Sequence, residues 1–239
     1  MKVALPDSFS DAEVVESFGD LGVLAFTTGR GTGSFGTATE EPVRDVMARW
    51  SALRALVGGN DARLATATQV HGDRIVEHEG GWRGWLRGPD ADGHIAPTRG
   101  TAMAVSVADC VPVFLAHPSG ATAALHSGWR GTAARIAVRA IERFVAHGMA
   151  AADIRLHCGP AICGRCYEVS PDVYGQLTGR HVAGPTTVDL RALIAHQADA
   201  MGVRHISTSG LCTRCDNDRF YSHRAGDPGR QLGVIRAKA

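Results

Sequence analysis

The N-terminal part of the chain begins with one apolar run and one periodic segment. Residues 21–28 are almost continuously apolar and predict a strand, followed by a Gly-, Thr- and Ser-rich loop that reaches Thr39. Pro42 should open a helix that Gly58 ends. The residues expected on its buried face recur at helical spacing: Val43, Val46, Met47, Trp50, Leu53 and Val57.

The middle of the chain is rich in short apolar runs. Residues 64–70 and 74–78 predict a hairpin whose turn contains His71. Residues 103–107, 111–116 and 122–125 are short, mostly apolar runs bounded by Gly, Pro and Asp, which predicts strands buried on both faces. A helix capped by Thr132 and ended by Gly148 should follow. Its expected apolar face consists of Ile136, Ile141, Phe144 and Val145.

The C-terminal third repeats this mixture of strands and helices. Ser170-Pro171 and Asp189 are typical helix starts, and Gly202 should close the second of these helices. The remaining predicted strands are 154–158, 205–208, 220–222 and 232–235. Because strands and helices alternate imperfectly, the pattern favours a layered α+β fold over a doubly wound parallel sheet. We find no repeat or linker, so residues 1–239 are predicted to form a single domain.

The composition argues against two classes of partner. Lys and Arg number 25 and Asp and Glu 24, and this balance lacks the basic excess of nucleic-acid binders. No apolar run approaches the roughly 18 residues that a membrane span needs. Asp7 and Asp11 precede any apolar stretch, so no signal peptide is expected and the protein is predicted to be cytoplasmic. Its six cysteines should then be reduced thiols with a packing, metal or catalytic role.

Three polar residues lie where predicted strands meet loops. His71, Cys110 and His126 each follow an apolar run, and a Gly or Pro comes within the next two residues. Strand ends are where a rigid scaffold presents functional groups. Two imidazoles and one thiolate suit zinc, and three protein ligands leave the fourth tetrahedral position open, as in catalytic sites. Sequence separation alone does not show that the three converge.

A series of motifs in fixed order makes this hypothesis specific. The chain resembles the YfiH family, also called the laccase-domain or polyphenol oxidase family and more recently a family of purine nucleoside phosphorylases. The resemblance runs from about residue 20 to the C-terminus. It rests on Gln69-Val70-His71-Gly72-Asp73, Ala108-Asp109-Cys110-Val111-Pro112, His126-Ser127-Gly128-Trp129-Arg130-Gly131-Thr132, Gly159-Pro160-Ala161-Ile162, Cys166-Tyr167-Glu168-Val169, Cys212-Thr213, Phe220-Tyr221-Ser222-His223-Arg224 and Gly229-Arg230-Gln231.

The resemblance implies a fold, a metal site and an activity. The fold would be an αββα layered sandwich of mixed sheets, usually monomeric. Zinc would be bound by His71, Cys110 and His126, which would also be the catalytic residues. The substrates would be purine nucleosides and inorganic phosphate, with phosphorolysis of adenosine, inosine, guanosine and methylthioadenosine. Adenosine deamination is also implied, and a metal that lowers the pKa of water to about 7 suits that reaction.

Phosphorolysis further requires a cation for phosphate. Guanidinium groups offer paired donors that match phosphate, and Arg224 in the C-terminal motif is the first candidate for substrate binding, with Arg30 second. Gly29 stands where the family usually has an arginine, so the role of that loop is left open. Asp109 is either a proton shuttle and orienting group beside Cys110 or a turn-forming aspartate.

Alternative functions follow from the same residues. A His₂Cys set also suits copper and a polyphenol oxidase, although the chain has no His-x-His pair for a trinuclear cluster. A cysteine hydrolase in peptidoglycan precursor editing, with Cys110 as nucleophile, is a further reading, and a non-enzymatic binding domain another. The pairs Cys163/Cys166 and Cys212/Cys215 suggest a four-cysteine zinc site or a redox role. Their long separation argues against a zinc ribbon, so they are expected to be dispensable for zinc.

Overall fold

A computed structural model describes residues 5–37, 41–59 and 62–238. Its strands are β1 (Glu13–Val14), β2 (Val23–Thr27), β3 (Arg63–Ala67), β4 (Ile75–Glu77), β5 (Gly84–Gly88), β6 (Gly93–Ala96), β7 (Thr101–Val107), β8 (Val111–Ala116), β9 (Thr122–Ser127), β10 (Arg155–Cys158), β11 (Glu168–Val169), β12 (Thr186–Thr187), β13 (His205–Thr208) and β14 (Gln231–Ala237). Its α-helices are α1 (Val43–Leu56), α2 (Trp129–Ala133), α3 (Ile136–Ala146), α4 (Pro171–Thr178) and α5 (Leu190–Ala200).

The strands form two six-stranded sheets, each of mixed direction. The first sheet has the order β1-β2-β14-β7-β3-β5, antiparallel up to β7 and parallel from β7 to β5. The second has the order β13-β10-β8-β9-β6-β4, with parallel pairs at its two edges and antiparallel pairs between them. The short strands β11 and β12 pair separately.

Alternate side chains of the strands divide the core into three apolar layers. Leu24 and Phe26 of the first sheet pack with α1, whereas Ala25 of the same strand faces the second sheet. Val113 of the second sheet packs with α3 and α5, and its neighbour Phe114 faces the first sheet. Successive residues of a strand point to opposite faces, so strands buried on both sides are apolar throughout. The result is the predicted α+β fold, an αββα sandwich of mixed sheets.

Both predicted apolar helix faces need correction. In α1, Val43 and Met47 are 73% and 40% exposed, and the buried face consists of Val46, Trp50 and Leu53. The predicted helix from Thr132 is two helices, because Arg135 adopts a left-handed φ of 60° between α2 and α3. Thr132 lies inside α2 instead of capping a helix, and Val145 is 48% exposed.

One predicted strand pairing and one predicted strand are wrong as well. Residues 64–70 and 74–78 do not form a hairpin, because β3 belongs to the first sheet and β4 to the second. Residues 220–222 are not a strand, since the side-chain amide of Gln231 bonds both backbone groups of Tyr221 in place of a neighbouring strand. The caps at Ser170 and Asp189 are confirmed, each accepting hydrogen bonds from helical amides. The end of the predicted loop at Thr39 lies outside the described residues.

Within residues 5–37, 41–59 and 62–238, no helix is both long and apolar enough to cross a membrane.

A candidate metal centre and its pocket

Sheet register brings Cys110 and His126 together. Strands β8 and β9 are antiparallel, with Val111 opposite Ser127 and Pro112 opposite His126. Cys110, the residue before β8, therefore lies beside the C-terminal end of β9. Cys110 reaches this place through Asp109, which has a φ of 80°. A non-glycine residue in this region is uncommon and is sustained only by surrounding contacts.

His71 lies on a segment that is tied to both sheets as it crosses between them. The side chain of Gln69 donates to Ser106 O at 2.8 Å and accepts from Ser106 N at 2.7 Å, which holds the segment to β7. On the other side, Asp92 precedes β6 and accepts from the amide of His71 at 2.9 Å. His71 itself has a φ of 61°. Contacts to both sheets thus fix the position of His71.

These elements place the three predicted ligands in one cluster. One donor atom each from His71, Cys110 and His126 lies within 4.8 Å of the other two. The two imidazole rings meet edge to face, with centroids 4.7 Å apart and an interplanar angle of 80°. His126 is 3% exposed, Cys110 is half-buried and His71 is exposed. The cluster is therefore closed on the protein side and open at His71.

Asp92 organises the cluster, and sequence reasoning missed it. The side chain is 0% exposed and accepts from His126 Nδ1 at 2.7 Å. It also accepts from the amides of Val70 and Gly72 at 3.1 and 2.7 Å, in addition to His71. In the sequence Asp92 stands in Pro89-Asp90-Ala91-Asp92-Gly93, which predicts only a turn. No sequence signal separates this residue from a turn-forming aspartate.

Gly128 leaves the room that the cluster needs. A Cβ atom built on Gly128 would lie 2.9 Å from Cys110 Sγ and 3.4 Å from His71 Cδ2. Real Cβ atoms do not approach sulfur so closely, so any larger residue would displace the thiol. The absence of a side chain at Gly128 thus allows Cys110 and His71 to lie close to the backbone after His126.

The charges of Cys110 and His126 are strongly coupled. Burial alone would raise the pKa of the Cys110 thiol, but the charge and hydrogen bond of His126 and the hydrogen bond from His71 lower it to about 6. Burial would lower the pKa of His126, yet the Cys110 thiolate and the Asp92 carboxylate raise it to about 9. Without metal, the two side chains form a thiolate–imidazolium pair near neutral pH.

The donor set fits a zinc ion. Asp92 occupies Nδ1 of His126, which leaves Nε2 for the cluster and fixes the ring orientation, as carboxylate partners of metal-binding histidines do. From ordinary zinc–ligand bond lengths, ligands of tetrahedral zinc lie roughly 3.3–3.8 Å apart. The three donor atoms lie within 4.8 Å of one another, so zinc binding would require them to move together by at most about 1.5 Å.

The cluster forms the floor of a pocket of about 610 Å³. Such a volume is in the range of small-molecule sites, roughly 300–1,000 Å³. Its described lining carries four arginines, Arg87, Arg130, Arg224 and Arg230, and one carboxylate, Asp109. Trp129 and Tyr167 add aromatic surface. The pocket therefore combines positive charge with aromatic surface, and an arginine covers one face of each ring, Arg130 on Trp129 and Arg224 on Tyr167.

Of the two arginines that the sequence suggested, Arg224 lies in the pocket. Its guanidinium carbon is 5.3 Å from the Tyr167 ring centroid, and it donates to Glu168 O at 3.0 Å. Arg30 instead pairs with Asp227 at 2.7 Å, outside the described lining. The glycine before it is required by its surroundings, because a Cβ at Gly29 would lie 2.3 Å from an Asp11 oxygen.

Asp109 acts as a turn-forming and tethering residue. One carboxylate oxygen accepts from Thr213 Oγ1 at 2.6 Å and the other from the amide of Arg224 at 2.7 Å. Both oxygens are therefore engaged in holding the pocket wall. This favours the structural interpretation of Asp109 over the proton shuttle.

Comparison with known proteins agrees with this arrangement. The family model described as multi-copper polyphenol oxidoreductase laccase matches residues 30–238, a stretch that contains the whole cluster. The chain belongs to this family. The laccase-like family thus named is the YfiH family that the sequence motifs indicated.

Curated relatives in this family have been given a different name. A purine nucleoside phosphorylase of Streptomyces griseus is 33% identical over 208 residues, covering 84% of each chain. A purine nucleoside phosphorylase of Deinococcus radiodurans is 35% identical over 207 residues, covering 81% of this chain and 77% of the relative.

Two solved structures share the fold. YlmD from Geobacillus stearothermophilus superposes with a TM-score of 0.85 at 27% identity, covering 100% of this chain and 98% of its own. The YfiH protein of Bacillus licheniformis gives a TM-score of 0.84 at 24% identity, covering 95% and 96%.

Proposed function

We propose that the protein is a zinc-dependent purine nucleoside phosphorylase acting on adenosine, inosine, guanosine and methylthioadenosine, with adenosine deaminase activity as well. The observation that carries the proposal is the His71, Cys110 and His126 cluster at the floor of a pocket with four arginines on its wall. The purine nucleoside phosphorylase names of two relatives at 33% and 35% identity support the same reaction.

The pocket suits the two substrates of phosphorolysis. A phosphate oxygen forms a bond to C1′ of the ribose, the C1′–N9 bond breaks, and the departing purine takes up a proton. Arg224 binds phosphate, because its guanidinium lies in the pocket and makes one hydrogen bond to the described residues, to Glu168 O. Arg130 stacks on Trp129 at 4.4 Å and supplies a second positive charge. Trp129 and Tyr167 add aromatic surface beside these two guanidinium groups, and the base can pack against it.

The metal-ligand residues act on the developing negative charge. When bound, zinc supplies a Lewis acid at the pocket floor and lowers the pKa of nearby water. Cys110 and His126 hold the metal from the buried side, and Asp92 keeps the proton on His126 Nδ1 so that Nε2 remains a ligand. His71 would complete the ligand set from the exposed side. Deamination replaces the amino group of adenosine with oxygen from a water molecule and releases ammonia. It needs no phosphate, so it depends less on Arg224.

A copper-dependent polyphenol oxidase is the competing function, favoured by the name of the family model. A trinuclear copper cluster requires several histidine ligands in close array. Among the described residues, the only other cluster of three or more metal-ligand groups consists entirely of cysteines. The ligand sets therefore favour single-metal chemistry at the pocket.

The decisive experiment is a nucleoside panel with and without phosphate. The zinc-loaded protein should release free base and ribose 1-phosphate from inosine only when phosphate is present, and should convert adenosine to inosine without it. Cys110→Ala should abolish both activities. No nucleoside turnover, together with rapid phenol oxidation by the copper-loaded protein, would establish the oxidase. Thiol-dependent hydrolysis of a peptide by the metal-free protein would favour a cysteine hydrolase.

A further inference from the structure

A second group of potential metal ligands lies outside the pocket. One sulfur each from Cys163, Cys166, Cys212 and Cys215 lies within 4.8 Å of the others, and none is in a disulfide. Cys166 Sγ and Cys215 Sγ are 3.5 Å apart. The long interval between the two pairs in the sequence, which argued against a zinc ribbon, therefore does not keep them apart in space.

Strand direction explains why distant pairs converge. Strands β10 and β13 are parallel neighbours, so the loops that follow them leave the second sheet at the same edge. Ala161 and Cys212 then form an isolated parallel bridge, and the amide of Thr213 donates to Ala161 O at 3.2 Å. This bridge brings two Cys-x-x-Cys turns together although Cys163 and Cys212 are 49 residues apart. The interval between pairs reflects the chain between two parallel strands, not distance in space.

Backbone amides of both turns donate hydrogen bonds to a cysteine sulfur. The amides of Cys163 and Cys215 donate to Cys212 Sγ at 3.2 and 3.4 Å. Asp216 fixes the second turn by accepting from the amide of Cys212 at 2.8 Å. In the first turn the amide of Cys166 donates to Cys163 O at 2.9 Å. Amide hydrogen bonds to sulfur stabilise thiolates, which are the ligand form of cysteine.

The sulfur spacing and charge suit a metal ion better than disulfides. Tetrahedral zinc–thiolate geometry places sulfurs roughly 3.7 Å apart, whereas a disulfide requires about 2.05 Å. All four sulfurs approach one point, while a disulfide would join only two of them. Zinc with four thiolates carries two negative charges. Each turn contributes one cation, Arg165 and Arg214, at the position before its second cysteine.

We propose that Cys163, Cys166, Cys212 and Cys215 bind a zinc ion in a closed, structural site distinct from the pocket cluster. Each thiol that binds gives up its proton to solvent. Four protein ligands leave no open position, so this site does not take part in turnover. It locks two loops of the pocket wall: Tyr167 directly follows Cys166, and Thr213 directly follows Cys212 and donates to Asp109 at 2.6 Å.

The test is zinc stoichiometry by mass spectrometry on the full chain, purified under reducing conditions. Wild type should hold two zinc ions, and Cys110→Ala and Cys215→Ser one each. The matched control is Cys158→Ala, which alters a cysteine buried in the core and should retain two. Zinc retained by Cys110→Ala should show a sulfur-only shell at about 2.3 Å by X-ray absorption. Its removal by chelator should lower the unfolding midpoint by roughly 5 °C or more.

Several results would overturn the proposal. A Cys110→Ala protein without stoichiometric zinc, with nitrogen in the shell, or with iron in place of zinc would do so. So would a loss of two mass units on Cys163, Cys166, Cys212 or Cys215, which marks a disulfide. If Cys215→Ser does not fold, Cys110→Ala alone decides. Failure of the pocket site is distinguishable, because wild type and Cys110→Ala would then each hold one zinc and Cys215→Ser none.

Discussion

Asp92→Asn tests whether the buried carboxylate organises the metal centre. The carboxylate accepts four hydrogen bonds, three from the segment around His71 and one from His126. These contacts favour the ionised carboxylate. Burial would raise the pKa of Asp92, but the hydrogen bonds from His126 and from the amides of Gly72 and Val70 lower it. Asparagine has the same shape, one acceptor atom and two N–H donors.

The effect of Asp92→Asn on stability and on metal affinity can be estimated from these contacts. If the asparagine oxygen keeps the bonds to His71 N and His126, its NH₂ group faces the amides of Val70 and Gly72, and both lose their acceptor. Burying unpaired donors costs about 1–3 kcal/mol of the free energy of unfolding. Loss of a carboxylate behind a metal-binding histidine typically lowers metal affinity about 10- to 100-fold.

Half-activation of nucleoside phosphorolysis in solutions of buffered free zinc measures that affinity at the pocket alone. Asp92→Asn should move the half-activation concentration upward by that factor, and zinc in excess should restore much of the turnover. Asp73→Asn is the matched control. It lies in the same segment but pairs with Arg139 at 2.8 Å on the surface, so it should leave the zinc midpoint unchanged. Equal midpoints for the two variants would refute the role given to Asp92.

Three further predictions concern the pocket. Since the metal-free pair holds a thiolate above about pH 6 and an imidazolium below about pH 9, zinc must displace one proton from His126 in this window. Zinc affinity should therefore rise about tenfold per pH unit between pH 6 and 9 and level off above it, and a flat pH profile of the zinc midpoint would contradict the pairing. Gly128→Ala should displace the Cys110 thiol and weaken zinc binding with little loss of unfolding temperature, whereas a wild-type zinc midpoint would show that the contact relaxes freely. Arg224→Ala should cut kcat/KM for phosphorolysis about 10- to 100-fold and spare deamination, measured side by side on adenosine, and equal losses would remove Arg224 from phosphate binding.

Local patterns in the sequence predicted the strands of the core well. Residues 111–116 are apolar at every position and 122–125 at every position but Thr122, and both strands are buried on two faces between helices and the first sheet. Ser170 and Asp189 were recognised as caps because a cap depends only on a residue and the next three amides. Signals that act within a few residues can be read directly from the chain.

Predictions that required long-range information failed where no family motif supplied it. The segments on either side of His71 are each strand-like, but nothing local shows that they enter different sheets. The helix expected from Thr132 is broken by a left-handed Arg135, although no glycine or proline marks the break. Asp92 lies 34 residues before His126, and only the pairing of β6 with β9 brings them together.

The same reasoning accounts for the position of the four cysteines. Strand β10 runs antiparallel to β8, so the end of β10 lies at the edge where β8 begins, beside Cys110. The pocket wall at this edge is built from irregular loops, and ordering such loops costs conformational entropy, about 1–2 kcal/mol per residue. Thr213 and Arg224 reach Asp109 through hydrogen bonds, but hydrogen bonds alone contribute only about 1 kcal/mol each. A tetrahedral metal ion that joins Cys163 and Cys166 to Cys212 and Cys215 would fix both loops at once, so the pocket would owe its shape to a site that never contacts substrate.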